Sequence, residues 1–189
     1  MNYKNLLKIL LILTVVVVSA SCVSAGLFGG DGNALLGSGE YKVGNDLPAG
    51  EYYVKCDGNN LYVEVASSSS GDLDDIIYNL NTKGGVYITV EDGEYLEISG
   101  GKLYEIDKAP NRGADGGYYK EGMYKVGEDI PAGEYQVEST KSMGYIEVSS
   151  DSRHQIESII TNDNFENNKY ITVKDGQYLT LDNGAKIKA

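Results

Sequence analysis

The chain has 189 residues, of which 28 are acidic and 16 basic, and its formal net charge is −12. Such an acidic surface repels nucleic acid, whose recognition needs clustered Lys and Arg, and it also repels anionic membranes. We therefore predict no nucleic-acid partner, and membrane contact only through an N-terminal signal or a lipid anchor. The same charge favours solubility and attracts cations.

Residues 1–25 are typical of a secretory signal peptide. Lys4 and Lys8 precede an apolar run over 9–18, and small residues allow cleavage after Ala25. The apolar run is shorter than the roughly 20 residues that a membrane-spanning helix needs. The N-terminus therefore predicts an extracytoplasmic protein.

A lipoprotein is the competing interpretation of the same segment. Cys22 follows small residues, as a lipid-attachment site would, although Ser19 stands where an aliphatic residue is usual. Secretion and attachment to the cell surface through Cys22 both stay open.

The rest of the chain contains one sequence twice. Each residue of 39–106 aligns with the residue 83 positions later in 122–189, without a gap. We predict two repeat domains with these bounds, a flexible leader at 26–38 and a linker at 107–121. Each copy is near the lower size limit for an independent core, so two arrangements stay open: packed copies, or independent beads.

Short segments with alternating apolar residues fill each repeat. They are rich in Tyr, Val and Ile and are bounded by Gly, Asn, Asp or Pro, which indicates strands. Their spacing predicts a mainly β fold of two tandem small antiparallel β-sandwich or barrel-like domains, each with one short helix. The first-copy segments are 41–43, 51–56, 61–65, 86–90, 94–98 and 103–106.

The helix is predicted at 72–80, where apolar residues recur with the i, i+3, i+4, i+7 spacing of a helical face. The second copy has a weaker form of this pattern around 156–160. We expect each helix to lie across one face of the sheet.

The best-preserved block predicts a turn. Proline presets the backbone for a type I turn, glycine accepts a left-handed conformation, and an aspartate carboxylate can accept backbone N–H bonds. This block therefore indicates a bulged hairpin rather than a chemical motif. The predicted turn residues are Asp46, Pro48 and Gly50, with Asp129, Pro131 and Gly133 in the second copy.

Tyrosine is the unusual residue, with 16 copies against two phenylalanines and no tryptophan. Several repeated tyrosines alternate with polar residues, opposite a face of Val, Ile and Leu. Two hypotheses follow: the tyrosines pack on the back of the sheet, or they form an aromatic platform for a ligand, with glutamates as acceptors. The candidate ligand-binding residues are Tyr62, Tyr87, Tyr95, Tyr145, Tyr170, Tyr178, Glu64 and Glu147.

Reactive groups are few. His154 is the one histidine and aligns with Gly71, so the two copies share no Ser/His/Asp set and no Cys/His zinc site. An acidic cluster at 72–75 is not kept in the second copy and lacks a calcium-loop pattern. We predict no catalytic residues, no metal, no cofactor and no enzyme activity.

Both copies of the block have the form Tyr-Lys-Val-Gly-x-Asp-[Leu/Ile]-Pro-Ala-Gly-Glu-Tyr, at 41–52 and 124–135. With 145–151, 159–167 and 170–179, this block resembles a repeat domain of surface proteins and lipoproteins of Gram-positive bacteria and some archaea. The resemblance implies extracytoplasmic placement and a modular β domain, and it carries over no catalytic residue. The first copy departs from the pattern at 79–85, where the Asn-Asp-Asn-Phe-Glu-Asn segment of the second copy is lost.

The sequence thus predicts a non-catalytic protein, secreted or held at the cell surface, with two β modules for binding or adhesion at the envelope. Its partner would be an envelope polysaccharide or a surface protein. The alternative is a structural spacer or protein-interaction module without a small ligand.

Overall fold

The computed structural model describes residues 32–58 and 60–189, which belong to one compact unit. The predicted signal peptide, Cys22 and the first part of the leader lie outside these residues. The strands are β1 Gly39–Lys42, β2 Gly50–Cys56, β3 Leu61–Ala66, β4 Ile76–Thr82, β5 Val86–Val90, β6 Tyr95–Ser99, β7 Gly101–Glu105, β8 Tyr118–Tyr119, β9 Gly122–Lys125, β10 Gly133–Ser139, β11 Gly144–Ser149, β12 Ile159–Phe165, β13 Lys169–Val173, β14 Tyr178–Asp182 and β15 Ala185–Lys188.

Each repeat is a sandwich of two antiparallel sheets. In the first repeat the sheets have the orders β1-β6-β3-β4 and β5-β2-β7, and in the second β9-β14-β11-β12 and β13-β10-β15-β8. The sheets do not close into a barrel. The predicted fold class, mainly β with tandem sandwich-like modules, is confirmed.

The core of the first repeat follows the period of two along the strands. The face predicted to be core-like is buried throughout, as its members are at most 1% exposed: Val63, Val65, Ile88, Val90, Leu96 and Ile98. At roughly 25 cal/mol per Å² of apolar surface, burying such side chains is the main favourable contribution to folding. The alternation of apolar and polar residues along these strands therefore predicts this part of the core correctly.

The short helix of each repeat is a single 3-10 turn, at Leu73–Asp75 and Ile156–Ser158. The prediction of a helix over 72–80 is wrong beyond Asp75, because the residues from Ile76 through Leu80 lie in strand β4. Leu73 is 83% exposed and does not cover a sheet face. The apolar spacing resembles that of a helix because β4 is irregular where it pairs with β3. The register shifts between Val65 and Ala66, which pair with Tyr78 and Ile76.

The gapless alignment of the copies fails in the last strand. Val54 pairs with Leu103 in the first repeat, whereas its equivalent Val137 pairs with Ile187 in the second. Gly100 alone joins β6 to β7, but Asn183 and Gly184, both with positive φ, join β14 to β15. The extra turn residue shifts the last strand by one position.

Residues before each repeat add to its last strand. Leu36 forms an antiparallel bridge with Leu103 of β7, and Tyr119 of β8 pairs with Ile187 of β15. The predicted leader and linker thus each supply backbone to the sandwich that follows them. Tyr119 also packs edge-on against Tyr124.

The well-preserved block links two sheets rather than two strands of a hairpin, since β1 and β2 belong to different sheets. The Asp46 carboxylate accepts the Lys42 N–H at 2.7 Å, and Gly44 supplies the left-handed residue with φ 92°. The Tyr52 hydroxyl donates to the Pro48 carbonyl at 2.8 Å. Asp129, Gly127 and Tyr135 make the equivalent arrangement.

The two repeats pack through an edge strand. β5 is the outermost strand of its sheet, and an open edge exposes unpaired backbone groups. The second repeat covers it: the Thr89 N–H donates to the Ser152 carbonyl at 2.9 Å, and the Met123 N–H donates to the Gly85 carbonyl at 2.9 Å. Of the two arrangements left open, the structure has the packed one.

Side chains complete this cover. The His154 Nε2 donates to the Tyr87 carbonyl at 2.7 Å. Arg153 binds both carboxylate oxygens of Glu94, at 2.8 and 2.9 Å, and also donates to the Thr89 carbonyl at 3.2 Å. A bidentate Arg–carboxylate pair in a half-buried setting fixes orientation as well as contributing energy.

Two carboxylates of this contact each serve several donors. Glu51 of the first repeat accepts from Tyr178, from Ser152 at 2.8 Å and from Lys125 at 3.1 Å. Burial, and then the hydrogen bond to the Glu51 carboxylate, raise the pKa of Tyr178. Ionic and aromatic groups are therefore satisfied between the repeats rather than in water.

Asp129 of the second repeat is the other shared acceptor. It receives hydrogen bonds from the Tyr87 hydroxyl at 2.7 Å and from Arg112 Nε at 2.6 Å. Burial, and then the hydrogen bond to this carboxylate, raise the pKa of Tyr87. Arg112 also lies over the rings of Tyr53 and Tyr87, 5.2 Å from each centroid.

Gly84 tests how closely the repeats must approach. A Cβ there would lie 2.2 Å from the Glu121 carbonyl oxygen, whereas the aligned residue of the second repeat is Asn167. We expect Gly84→Ala to lower the free energy of unfolding by about 1–3 kcal/mol, because backbone must move. Thermal or urea unfolding measures this. Gly37→Ala, with open space around its Cβ, should change it by less than about 0.5 kcal/mol; equal effects of both variants would contradict the close contact.

His154 predicts a pH dependence of stability. Its burial lowers the pKa of the imidazole below the ordinary value, so protonation of the ring at low pH destabilises the folded state. Stability from the neutral ring is complete above about pH 6.5 and is lost as pH falls through the lowered folded pKa.

We expect His154→Asn to flatten the dependence of unfolding free energy on pH below about 6.5. Asparagine tolerates the positive φ of 53° at this position. Since His154 is the one histidine of the chain, the difference between the two pH curves isolates its contribution. Parallel curves would show that the ring titrates freely.

Candidate functional site

A set of four polar side chains recurs on the outer face of both sandwiches. In the first repeat it joins neighbouring strands, because Tyr62 and Glu64 of β3 stand directly opposite Asn81 and Asn79 of β4. Opposed residues of antiparallel strands share a face, and their inward neighbours fill the core. We call these four residues the first quartet.

The second quartet occupies the same positions. Tyr145 and Glu147 of β11 stand opposite Asn164 and Asn162 of β12. β4 and β12 are the outermost strands of their sheets, so both quartets lie at a sheet edge. The asparagines are exposed, and the tyrosines and glutamates are half-buried.

Within each quartet the tyrosine binds its glutamate. The Tyr62 hydroxyl donates to the Glu64 carboxylate, and the Tyr145 hydroxyl donates to Glu147 at 2.6 Å. The Asn162 amide also reaches the Tyr145 oxygen, at 3.4 Å. The hydrogen bonds fix the hydroxyls, while part of each ring stays accessible.

The paired glutamates set the acidity of these phenols. The hydrogen bond to Glu64, and then burial, raise the pKa of Tyr62 to about 12. Burial, and then the hydrogen bond to Glu147, raise the pKa of Tyr145 to about 12. Both tyrosines are therefore neutral at physiological pH and have no general-base character there.

The strands that flank the two quartets differ. Glu64 is opposite Glu97 on β6, which is opposite Glu40 on β1, so three carboxylates stand in a row across the first repeat. In the second repeat Glu147 is opposite Thr180. The quartets themselves are thus shared, whereas their acidic surroundings belong to the first repeat.

The other candidate tyrosines are not members of the quartets, although Tyr95 lines one cleft together with Glu64. Tyr87 and Tyr178 are 0% and 5% exposed, and their rings meet edge-on at 5.5 Å between the repeats, so neither offers a surface to a ligand. Tyr95 is half-buried beneath the Lys42 ammonium, 5.1 Å from its centroid. Tyr170 on β13 is 64% exposed.

Sequence reasoning missed the four asparagines. They recur at the same spacing of 83 residues as the tyrosines, so the repeat itself carried the necessary information. The helical interpretation of 72–80 hid them, because only a strand places Asn79 and Asn81 beside Glu64 and Tyr62.

Two clefts in the described part of the chain enclose little space. One cleft of about 160 Å³ lies between the repeats near Tyr53 and Arg112, and one of about 100 Å³ lies near Tyr95. Pockets for small molecules typically enclose about 300–1,000 Å³. Among the described residues, no three His, Cys, Asp or Glu side chains are arranged to hold a metal ion.

Fold and site together define a two-module β-sandwich protein with open polar faces. Residues 116–180, most of the second repeat, match the family model of the Rv1352-like extracellular domain. No curated protein matches the chain significantly. The family match makes this an extracytoplasmic protein, secreted or at the cell surface, as the N-terminus predicted. The resemblance to the lipoprotein repeat stays a prediction.

Within the described residues, no helix is both long and apolar enough to cross a membrane.

The quartets predict unusual tyrosine titrations. Stability from each Tyr–Glu bond is complete below the ordinary tyrosine pKa of about 10 and is lost as pH rises towards 12. We expect Glu64→Gln to lower the pKa of Tyr62 towards 10, because the acceptor loses its charge. Ultraviolet absorbance followed from about pH 9 to 12 measures this. The exposed Glu157→Gln serves as control, and a Glu64→Gln curve that superimposes on the unmodified protein would contradict the pairing.

Proposed function

We propose that the protein is a non-catalytic binding protein of the cell envelope, and that each quartet holds one segment of a hydroxyl-rich polymer such as a glycan or wall polysaccharide. One observation carries the proposal: the same Tyr, Glu, Asn and Asn stand in the same cross-strand arrangement on the outer face of both repeats. None of these four is needed to fill the core.

The chemistry of a quartet suits a sugar. A half-exposed tyrosine ring offers an apolar face to ring C–H groups, and its hydroxyl is already fixed by the glutamate. The carboxylate accepts hydrogen bonds, while the asparagine amides both donate and accept. Adjacent hydroxyls of a sugar present donors and acceptors at a similar spacing.

The shape of the face favours a polymer over a small ligand. The quartets lie on open sheet surface at edge strands, and the clefts nearby are smaller than those that enclose small molecules. A polymer gains affinity by engaging both quartets of one chain, since the second contact is then intramolecular. The packed repeats keep the distance between quartets fixed.

The same features speak against catalysis. A glycosidase holds two carboxyl groups about 5 to 10 Å apart around an enclosed bond. Glu147 of the second quartet stands opposite Thr180, whereas Glu64 of the first stands opposite Glu97, so the repeats do not share a carboxylate pair. No cofactor is part of the proposal.

A protein-interaction or spacer role remains the second candidate. It is favoured by the contact between the repeats, which joins two small sandwiches into one compact unit. In that role the partner is a surface protein, and the quartets only terminate the sheets.

Polysaccharide pull-down separates the two roles. We expect Tyr62→Ala and Tyr145→Ala together to weaken retention on envelope polysaccharide at least about tenfold, and each alone to weaken it less, because one quartet remains. Leu35→Ala, which removes an exposed apolar side chain beside β7 in the sheet that carries no quartet, is the control. Undiminished retention of the folded double variant would exclude the quartets as the site and leave the spacer role.

A further inference from the structure

The contact between the repeats has two halves, and each repeat contains both. In the first repeat, β5 is the edge that is covered; in the second, the 152–154 segment with β9 and β14 does the covering. The equivalent edge of the second repeat is β13, the outermost strand of its sheet. The equivalent covering surface of the first repeat is formed by 69–71, β1 and β6. Each molecule therefore presents one unused half at either end.

The β13 edge and the covering surface of the first repeat keep several of the polar groups that form the contact between the repeats. The acceptor Glu51 has its equivalent in Glu134, and Thr89 has its equivalent in Thr172; both equivalents are exposed. On the covering side, Lys125 and Tyr178, which bind Glu51, correspond to Lys42 and Tyr95. Lys42 already lies over the Tyr95 ring, as Lys125 lies over Tyr178.

Several of the residues that differ change in a compatible sense on the two sides. Asn167 does not, because it stands where Gly84 allows the close approach of the repeats, so neighbouring copies are spaced further apart at this point. The ion pair of Arg153 with Glu94 is replaced by Ser70 on one half and Gln177 on the other, so neither half keeps an unmatched charge.

New charges also match. The covering surface of the first repeat has Glu40 in place of Met123 and Glu97 in place of Thr180. The edge of the second repeat has Lys169 in place of Val86 and Lys174 in place of Glu91. Lys169 also binds Asp163 of its own repeat, at 2.5 Å. The acids on one half still face bases on the other, which favours association between separate molecules at low ionic strength.

A groove is present at the covering surface of the first repeat. It has a volume of about 100 Å³ and is lined by Glu40, Ser69, Gly71, Tyr95 and Glu97 among others. In the second repeat the corresponding residues include Ser152, His154 and Tyr178, which contact the first repeat. The groove therefore corresponds to the surface of the second repeat that packs against the first repeat.

We propose that copies of this protein associate head to tail, with the first repeat of one copy covering the β13 edge of the next as the second repeat covers β5. Lys42, Tyr95 and Ser69 of one copy then bind Glu134 and Thr172 of its neighbour. The contact joins two different surfaces, so each copy can bind one neighbour at either end, and association continues into chains or closed rings. This inference does not rest on the polysaccharide proposal, because Lys42 and Glu134 lie outside the quartets.

Sedimentation velocity of the mature chain from residue 26, over a concentration series, tests the association. We expect the mass to rise with concentration in steps of one chain and to fall with added salt. Lys42→Glu and Glu134→Lys should each weaken association about fivefold or more, since each places like charges in contact. An equimolar mixture of the two variants should restore it, which also shows that both are folded. A monomer at every soluble concentration, or variants that associate as the unmodified chain does, would overturn the proposal.

Disulfide trapping tests the geometry. Thr89 Oγ1 and Ser152 Oγ are 2.8 Å apart, so cysteines at the equivalent positions should cross-link neighbouring copies. We expect Ser69→Cys with Thr172→Cys, in a Cys56→Ser background that matches Ser139 of the second repeat, to give a ladder of covalent multimers on oxidation. Ser69→Cys alone should stop at the dimer. Absence of the ladder in the double variant would overturn the proposed contact.

Discussion

The open edge of β5 is the constraint on which the arrangement of the molecule depends. An edge strand leaves backbone N–H and C=O groups without partners, and burying them unpaired is costly. Here the partners come from the second repeat, since Ser152, Arg153 and His154 bind the backbone of Tyr87 and Thr89. This requirement explains the close approach at Gly84 and the burial of Tyr87 and Tyr178 between the sandwiches. Two small domains that would each be marginal alone become one unit.

Met123 and Tyr178 join the hydrophobic core of the first repeat, but much of the contact is polar, and this affects its energetics. Replacing a half-buried ion pair with apolar residues is often neutral, but removing one partner strands the other charge. Asp129 illustrates the coupling, because it accepts the Lys125 N–H of its own turn as well as Tyr87 and Arg112. Its equivalent Asp46 has the turn hydrogen bond. One carboxylate of the block thus serves folding in both repeats and also fixes the orientation of the repeats in one of them.

Much of the fold could be predicted from the sequence, because alternation along strands reports burial directly. Alternation reports less about the polar face. Tyr62 and Tyr87 both alternate with polar residues along their strands, but only Tyr62 keeps an accessible ring. Alternation cannot distinguish a face towards water from a face towards another domain, since the second domain is distant in sequence. The prediction of a helix around Leu73 was wrong for a different reason: a 3-10 turn followed by a strand has apolar residues at a spacing similar to that of a helix. The wrong helix prediction concealed that Asn79 and Asn81 share a sheet face with Tyr62 and Glu64, and so concealed half of the first quartet.

Comparing the two copies separates the roles of residues that a single copy would leave mixed. Shared apolar residues mark the core, and shared turn residues mark the connection between sheets. Polar residues that are shared on the outer face, such as Tyr62 and Glu64, belong to neither set, and the proposed binding role rests on them. Residues that differ at equivalent positions are equally informative: Gly84 and Met123 lie in the contact between the repeats, whereas their equivalents Asn167 and Glu40 are exposed. Because a duplicated module starts with identical surfaces, such differences trace which surfaces became a permanent contact and which stayed available for other partners.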